Sequence, residues 1–269
     1  MRESYLVLKE QFQNWRIIYR MSRYDEKSTY QTHYLGLAWQ VLNPIIQILT
    51  YYLVFGIGFH RQDVNGIPFI NWMLFGMTVW FFVSASLLNG SKSVYSQVGL
   101  VSKMKFPVSI LPTISMISQF STFIPMIVVS VGWGLLIGIT PTLYWLQSLY
   151  YFVCMIVFLI GMGVLNSTIS MLVRDYHILF QSVLRLLFYL SGTIMNIEGN
   201  TVLPKLLVRF LTLNPLYYLT SGFRDSFLSE RWFWERPEAT LLFWFLTLGI
   251  FIVGSHIHLK FRAKFVDYV

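Results

Sequence analysis

Six apolar stretches divide this chain of 269 residues, and none of them contains an Asp or Glu. They run over residues 36–59, 69–88, 107–139, 143–173, 178–197 and 239–259. A helix needs about 20 predominantly apolar residues to cross the ~30 Å hydrocarbon core of a bilayer, and each stretch meets that length. Composition agrees: 55% of residues are hydrophobic, 18% aromatic and only 12% charged. A soluble domain carries roughly 25% charged residues. The pattern therefore predicts an all-α membrane protein with six transmembrane helices.

Two segments do not fit a span. From Ser4 to about Arg20, Tyr5, Leu8, Phe12, Trp15 and Tyr19 recur at steps of three and four, which puts them on one helical face. Lys9, Arg16 and Arg20 flank that stripe. An aromatic stripe beside a basic strip predicts an amphipathic helix lying in the membrane interface; the alternative is an amphipathic helix packed on a partner subunit. The region Glu198–Glu238 holds two apolar pieces, Val202–Leu213 and Leu216–Leu228, separated by Asn214-Pro215. The first would be roughly 18 Å long as a helix, too short to cross. Two short helices that dip into one leaflet and return are expected there, enclosed by protein or a water-filled cavity. The chain thus divides into an N-terminal interfacial helix and linker, 1–30, and a transmembrane domain, 31–269.

The net charge of +8 reflects Lys and Arg residues placed between the apolar runs, without a module for nucleic-acid binding. With the N-terminus in the cytoplasm, the inner loops collect Arg2, Lys9, Arg16, Arg20, Arg23, Lys27, Lys92, Lys103, Lys105, Arg174, Lys260, Arg262 and Lys264. The short outer loops hold only Arg61, and Glu198–Glu238 holds five more basic residues. This asymmetry predicts cytoplasmic N- and C-termini in a multi-pass plasma-membrane protein. The N-terminal segment stays polar to Lys27, so no cleavable signal peptide is expected.

Several chemistries find no residues to carry them. Proton- or sodium-coupled carriers usually need carboxylates at membrane depth, and the six stretches have none. No Gly-Lys-Ser/Thr occurs; Gly90-Ser91-Lys92-Ser93 has the wrong order for a phosphate loop. Neither a nucleophile elbow nor a pair of catalytic carboxylates is present. Cys154 is alone and reads as a small core hydrophobe. His256 and His258 stand about 200° apart on a helix, do not converge on a metal, and read as interfacial residues at the end of the last span. The chain is therefore expected to bind no metal or cofactor. Arg185 is the formal charge set well inside a stretch. It either snorkels to the interface or faces a transport path that attracts an anionic headgroup. The aromatic residues admit interfacial belts as well as faces on which sugars stack.

The connectors carry a resemblance. Tyr34-Leu35-Gly36-Leu37-Ala38-Trp39-Gln40-Val41-Leu42-Asn43-Pro44 resembles the start of the first span in polysaccharide-export permeases of the ABC-2 type. Lys103-Met104-Lys105-Phe106-Pro107 with Ile110-Leu111-Pro112 is similar to the segment before their third span. Asn166 with Val173-Arg174-Asp175, and Leu213-Asn214-Pro215-Leu216 with Gly222-Phe223-Arg224-Asp225, resemble two further family elements in the same order. Ser191-Gly192 stands where the family often has Ser-Pro, and Tyr24–Tyr30 is longer than usual.

The resemblance implies the membrane subunit of an ATP-binding cassette exporter. It implies a homodimer joined to two copies of a separate ATPase, which would hold the ATP and magnesium. The implied substrate is a polymer on undecaprenyl diphosphate, moved from the cytoplasm to the outer face. Wall teichoic acid is the most similar case and O-antigen the next; a secondary transporter or an embedded transferase is the distant alternative. Under this reading Lys9, Arg16, Arg20, Arg23, Lys27 and Arg185 would meet the lipid diphosphate. Gln97, Val98, Leu100, Lys103 and Lys105, with Arg174 and Asp175, would contact the ATPase.

Overall fold

The computed structural model describes residues 2–30, 34–58, 63, 64, 66–97, 99, 106–199, 202–262 and 265. It is helical throughout; among the described residues the one extended pairing is the bridge Val64–Ile67. Five helical segments are long and apolar enough to cross a membrane: Gly36–Gly58, Phe69–Ser96, Val108–Leu136, Leu143–Leu172 and Pro237–Phe261.

The N-terminal segment is two helices, α1 (Arg2–Gln13) and α2 (Trp15–Tyr30). The break falls at Asn14, whose side-chain amide donates to the Glu10 carbonyl at 2.8 Å, the kind of local bond that competes with helix continuation. Val7, Gln11, Ile18 and Ser22 face the bundle, whereas Phe12 is 80% exposed and Tyr5, Trp15 and Tyr19 are exposed with it. The aromatic stripe therefore points away from the rest of the chain, free to meet a membrane surface or a partner subunit.

The first span combines a 3-10 turn, α3 (Trp39–Tyr51) and a π-helical stretch, Tyr52–Gly58. Only Gln40, Pro44 and Ile48 of α3 are buried, one narrow stripe at steps of four. Helix α4 (Phe69–Ser96) is the opposite case, enclosed along most of its length. It extends beyond residue 88 because Ser91 and Ser93 donate to Leu88 and Gly90 carbonyls at 2.8 and 2.7 Å, turning polar side chains back on the helix. The third span bends at Gln119 between α5 (Leu111–Ser118) and α6 (Phe120–Leu136). There Ser118 and Ser121 donate to the carbonyls of Ser115 and Ser118, each at 2.8 Å, a recognised cause of helix bending.

Helix α7 (Gln147–Leu172) packs against α4 and against the last helix, α11 (Pro237–Phe261). Small residues allow the close approach. Between α7 and α11, a Cβ on Gly161 would lie 3.3 Å from Phe251, and one on Gly254 would lie 3.0 Å from Leu165.

The fifth apolar stretch departs from expectation. Helix α8 (Tyr176–Leu190) has 15 residues, about 22 Å, short of the hydrocarbon thickness. It stops before residue 197 because Gly192 takes a left-handed conformation, φ +66°, and the carbonyls that follow bond elsewhere. Two short helices follow, as the sequence predicts: α9 (Lys205–Thr212), largely exposed, and α10 (Pro215–Leu228), buried from Leu216 to its end. Asn214 caps α10 by accepting from the Leu216 amide at 3.0 Å, with Pro215 in the first turn.

Both chain ends meet at one end of the bundle, here called proximal. Glu3 lies 2.7 Å from His256, and Arg262 donates to Glu10 at 2.8 Å. At the distal end Gln147 donates to the Arg231 carbonyl at 2.7 Å and Ser229 lies 2.6 Å from Thr142. His258 corrects the sequence reading. It is buried between α7 and α11, 2.8 Å from Thr168, while His256 alone remains at the surface.

Candidate functional site

Lys9, Arg16, Arg20, Arg23 and Lys27 are all exposed on α1 and α2. The docking face of these helices, Val7, Gln11, Ile18 and Ser22, carries no charge, so the cations are left on the outward faces beside the aromatic stripe. Arg23 sits 5.8 Å from the Tyr19 ring centroid. The five cations thus form one basic surface at the proximal end.

Arg185 is exposed on the outer face of α8 and is not joined to that surface. It lines an open groove of about 460 Å³ between α3, α4 and α8, with Gln47, Tyr51, Trp80, Gln181 and Tyr189. Phe188 holds the wall together, its ring 5.1 Å from Tyr51 and 5.5 Å from Trp80. The groove offers one fixed positive charge, carboxamides and aromatic faces. That set can hold an anionic headgroup and slide along sugar rings.

Gln97 ends α4, half-buried, and Arg174 and Asp175 form the exposed turn between α7 and α8. Ser91 Oγ and His177 Nδ1, 2.8 Å apart, tie that turn to the last part of α4. Val98, Leu100, Lys103 and Lys105 lie outside the described residues.

Arg224 belongs to the motif Gly222-Phe223-Arg224-Asp225, and the sequence alone assigns it no role. It is the most enclosed cation described, 3% exposed. Its guanidinium donates to the carbonyls of Trp72 at 2.9 Å, Gly192 at 2.6 Å and Thr193 at 2.6 Å, and lies 3.5 Å from the Trp72 ring centroid. It therefore binds α4, α10 and the end of α8 into one unit and explains why α8 stops. Beside it runs a distal network. Glu198 pairs with Arg231 at 3.0 Å and Arg236 at 3.3 Å, Arg236 reaches Asp225 at 3.4 Å, and Tyr217 donates to Glu198 at 3.1 Å. Burial pushes the Asp225 carboxyl up to about 7, against the opposing pull of Arg236. Burial lowers the Arg236 pKa, but Asp225 and Glu198 outweigh it and the net shift is upward. Two adjacent charges, Arg224 and Asp225, in the short stretch Leu216–Leu228 were the available signal.

The profile of the ABC-2 type transporter family matches residues 16–228. An O-antigen export system permease protein RfbA of Myxococcus xanthus is 24% identical over 231 residues, covering 84% of this chain and 85% of its own. Two such proteins of Klebsiella pneumoniae are 24% and 22% identical, each covering 90% of this chain and 91% of their own. The family match spans well over half the chain, from the second N-terminal helix to the end of α10, and the chain belongs to the ABC-2 type transporter family.

Proposed function

We propose that this chain is the membrane subunit of an ATP-driven exporter that moves a lipid-linked polysaccharide across the plasma membrane. An O-antigen-type glycan comes first. The relatives named above are O-antigen export permeases, and this favours the second of the two substrates over the wall teichoic acid that the motif resemblance put first. The observation that carries the reading is the open groove between α3, α4 and α8, where Arg185 stands among carboxamides and aromatic rings.

The groove is open because α3 and α8 expose most of their surface. A second copy of the chain would close it into a tunnel, and a homodimer supplies that copy. A separate ATPase, in two copies, would bind ATP and magnesium and act on the proximal end through Gln97 and the Arg174–Asp175 turn. The basic surface of α1 and α2 would gather the undecaprenyl diphosphate headgroup there. The proximal end is then cytoplasmic, in keeping with its excess of Lys and Arg.

The test is deletion and complementation. Cells lacking the chain should accumulate lipid-linked polymer inside, and the chain together with its ATPase should restore it to the surface. Chemical analysis of the accumulated polymer separates O-antigen from teichoic acid. A surface polymer unchanged by the deletion would sink the reading.

A further inference from the structure

Glu10 of α1 spends both carboxylate oxygens on residues far along the chain. Ser109 Oγ donates to Glu10 Oε2 at 2.5 Å, and Arg262, at the end of α11, donates to Glu10 Oε1 at 2.8 Å. The next residue, Gln11, donates from Nε2 to the Ser109 carbonyl at 2.9 Å. Ser109 is fully buried and is thus gripped through its hydroxyl and its carbonyl by two consecutive residues of α1.

The sequence creates the need for this grip. Ser109 sits in the 3-10 turn Val108–Ile110 that opens the third span. Pro112, three residues on, has no N–H with which to carry that turn to the Ser109 carbonyl. Gln11 supplies a donor there, and Glu10 accepts the proton of the buried hydroxyl beside it.

The contact stands between two parts to which the export reading gives roles. On one side are the exposed cations, Lys9 directly before Glu10 and Arg16 and Arg20 on α2. On the other are the Gln97 end of α4 and the Arg174–Asp175 turn. An apolar seam links the two sides: Ile18 of α2, fully buried, shares one cluster with Val94, Val108, Leu111 and Met171. Val94 lies three residues before Gln97, and Met171 three before Arg174. Apolar contact is non-directional and lets such surfaces slide. A hydrogen bond to a carboxylate is short and directional and does not. Moving the first turn of the third span without α1 would leave the Ser109 hydroxyl and carbonyl buried and short of partners, a costly state.

We propose that Glu10 and Ser109 form a clamp that makes the interfacial helices follow the first turn of the third span when the ATPase acts on the proximal end, so that the headgroup-gathering cations are repositioned in each cycle. The proposal rests on the ATP-driven export reading. It adds to that reading two positioning residues that touch neither the polymer nor ATP.

The test uses the full chain with its ATPase in proteoliposomes. S109A removes the hydroxyl without adding bulk, and E10Q keeps the shape of the side chain without its charge. Each should hydrolyse ATP at the parent rate and lower export per ATP about tenfold, the effect of one charge-assisted hydrogen bond. If E10Q does not assemble, S109A reads the same contact. F12C follows the helix directly, since Phe12 is 80% exposed on α1 and the native thiol, Cys154, is fully buried. Maleimide labelling of F12C should change in rate when a non-hydrolysable ATP analogue is added, and S109A should abolish that change. Export and ATP hydrolysis falling in the same proportion would make the contact purely structural and overturn the proposal. So would F12C labelling that ignores the nucleotide, or that responds equally with S109A present. The parent complex keeps the two readings apart. Glycan export with coupling untouched by S109A overturns the clamp alone. A parent complex that exports no glycan, yet loses the F12C response with S109A, supports the clamp and overturns the export reading.

Discussion

Gly76 and Arg224 are a matched pair, 148 positions apart: a Cβ added to Gly76 would lie 1.9 Å from a terminal nitrogen of the Arg224 guanidinium. The guanidinium cannot move aside, because three carbonyls and the Trp72 ring hold it. The absent side chain on α4 is what lets one arginine join α4, α10 and the end of α8.

G76A should therefore destabilise the protein strongly. R224A removes the clash but leaves the buried carbonyls of Gly192 and Thr193 without their donor, at about 1–3 kcal/mol each; the Trp72 carbonyl keeps its place in the helix ladder of α4. The double variant G76A/R224A should cost clearly less than the sum of the two single changes. Thermal unfolding of the purified chain in detergent measures all three; strict additivity would contradict the pairing.

The distal network should respond to pH through Asp225. Arg236, Glu230, Glu198 and Arg231 face its carboxyl. The folded-state pKa of about 7 lies above the ordinary value of 3.8, so the folded state holds this proton more tightly than the unfolded chain. The resulting stabilisation is complete below the ordinary value and is lost as pH rises through the folded value. D225N should flatten that decline. The comparison is the melting temperature of each protein in detergent, measured on either side of neutral pH.

R185A should insert and assemble normally and lower export about tenfold, the loss expected for one charge-assisted hydrogen bond to a headgroup. R185K should recover part of it. Surface polymer, quantified at matched membrane levels of the chain, gives the readout; unchanged export would remove Arg185 from the path.

Neutralising Arg16 and Arg20 together, as R16Q/R20Q, should weaken capture of the anionic lipid-linked substrate. Each near-surface cation contributes about 1 kcal/mol, so the pair corresponds to roughly 30-fold in affinity. Substrate-stimulated ATPase activity of the reconstituted complex should shift to higher substrate concentration by about that factor. Both residues are exposed and make no ion pair among the described residues, so folding should be unaffected.

Much of the architecture is legible in residue order because a bilayer imposes a one-dimensional code. Apolar length marks spans, a stripe with flanking cations marks an interfacial helix, and Asn-Pro between short apolar pieces marks a dip. The five long helices, the exposed face of α1 and α2, and the pair α9 and α10 all follow from it. The candidate site was legible only where it is basic and exposed. Arg185 was identifiable as an isolated charge; the aromatic and carboxamide wall around it was not, since α3, α4 and α8 come together only in three dimensions.

Residue order by itself thus determined a helical, multi-pass chain with a basic N-terminal surface and no carboxylate in its spans, because hydropathy and charge act locally along the chain. Tertiary structure alone decided where α8 stops, that His258 is buried, and how Arg224 is housed. Each of these depends on a partner far away in sequence: Gly192 and Thr193 bond to Arg224, His258 to Thr168, and Arg224 to a carbonyl 152 residues distant. Buried polar groups must find partners wherever the fold brings them, and no local pattern records which partner that will be.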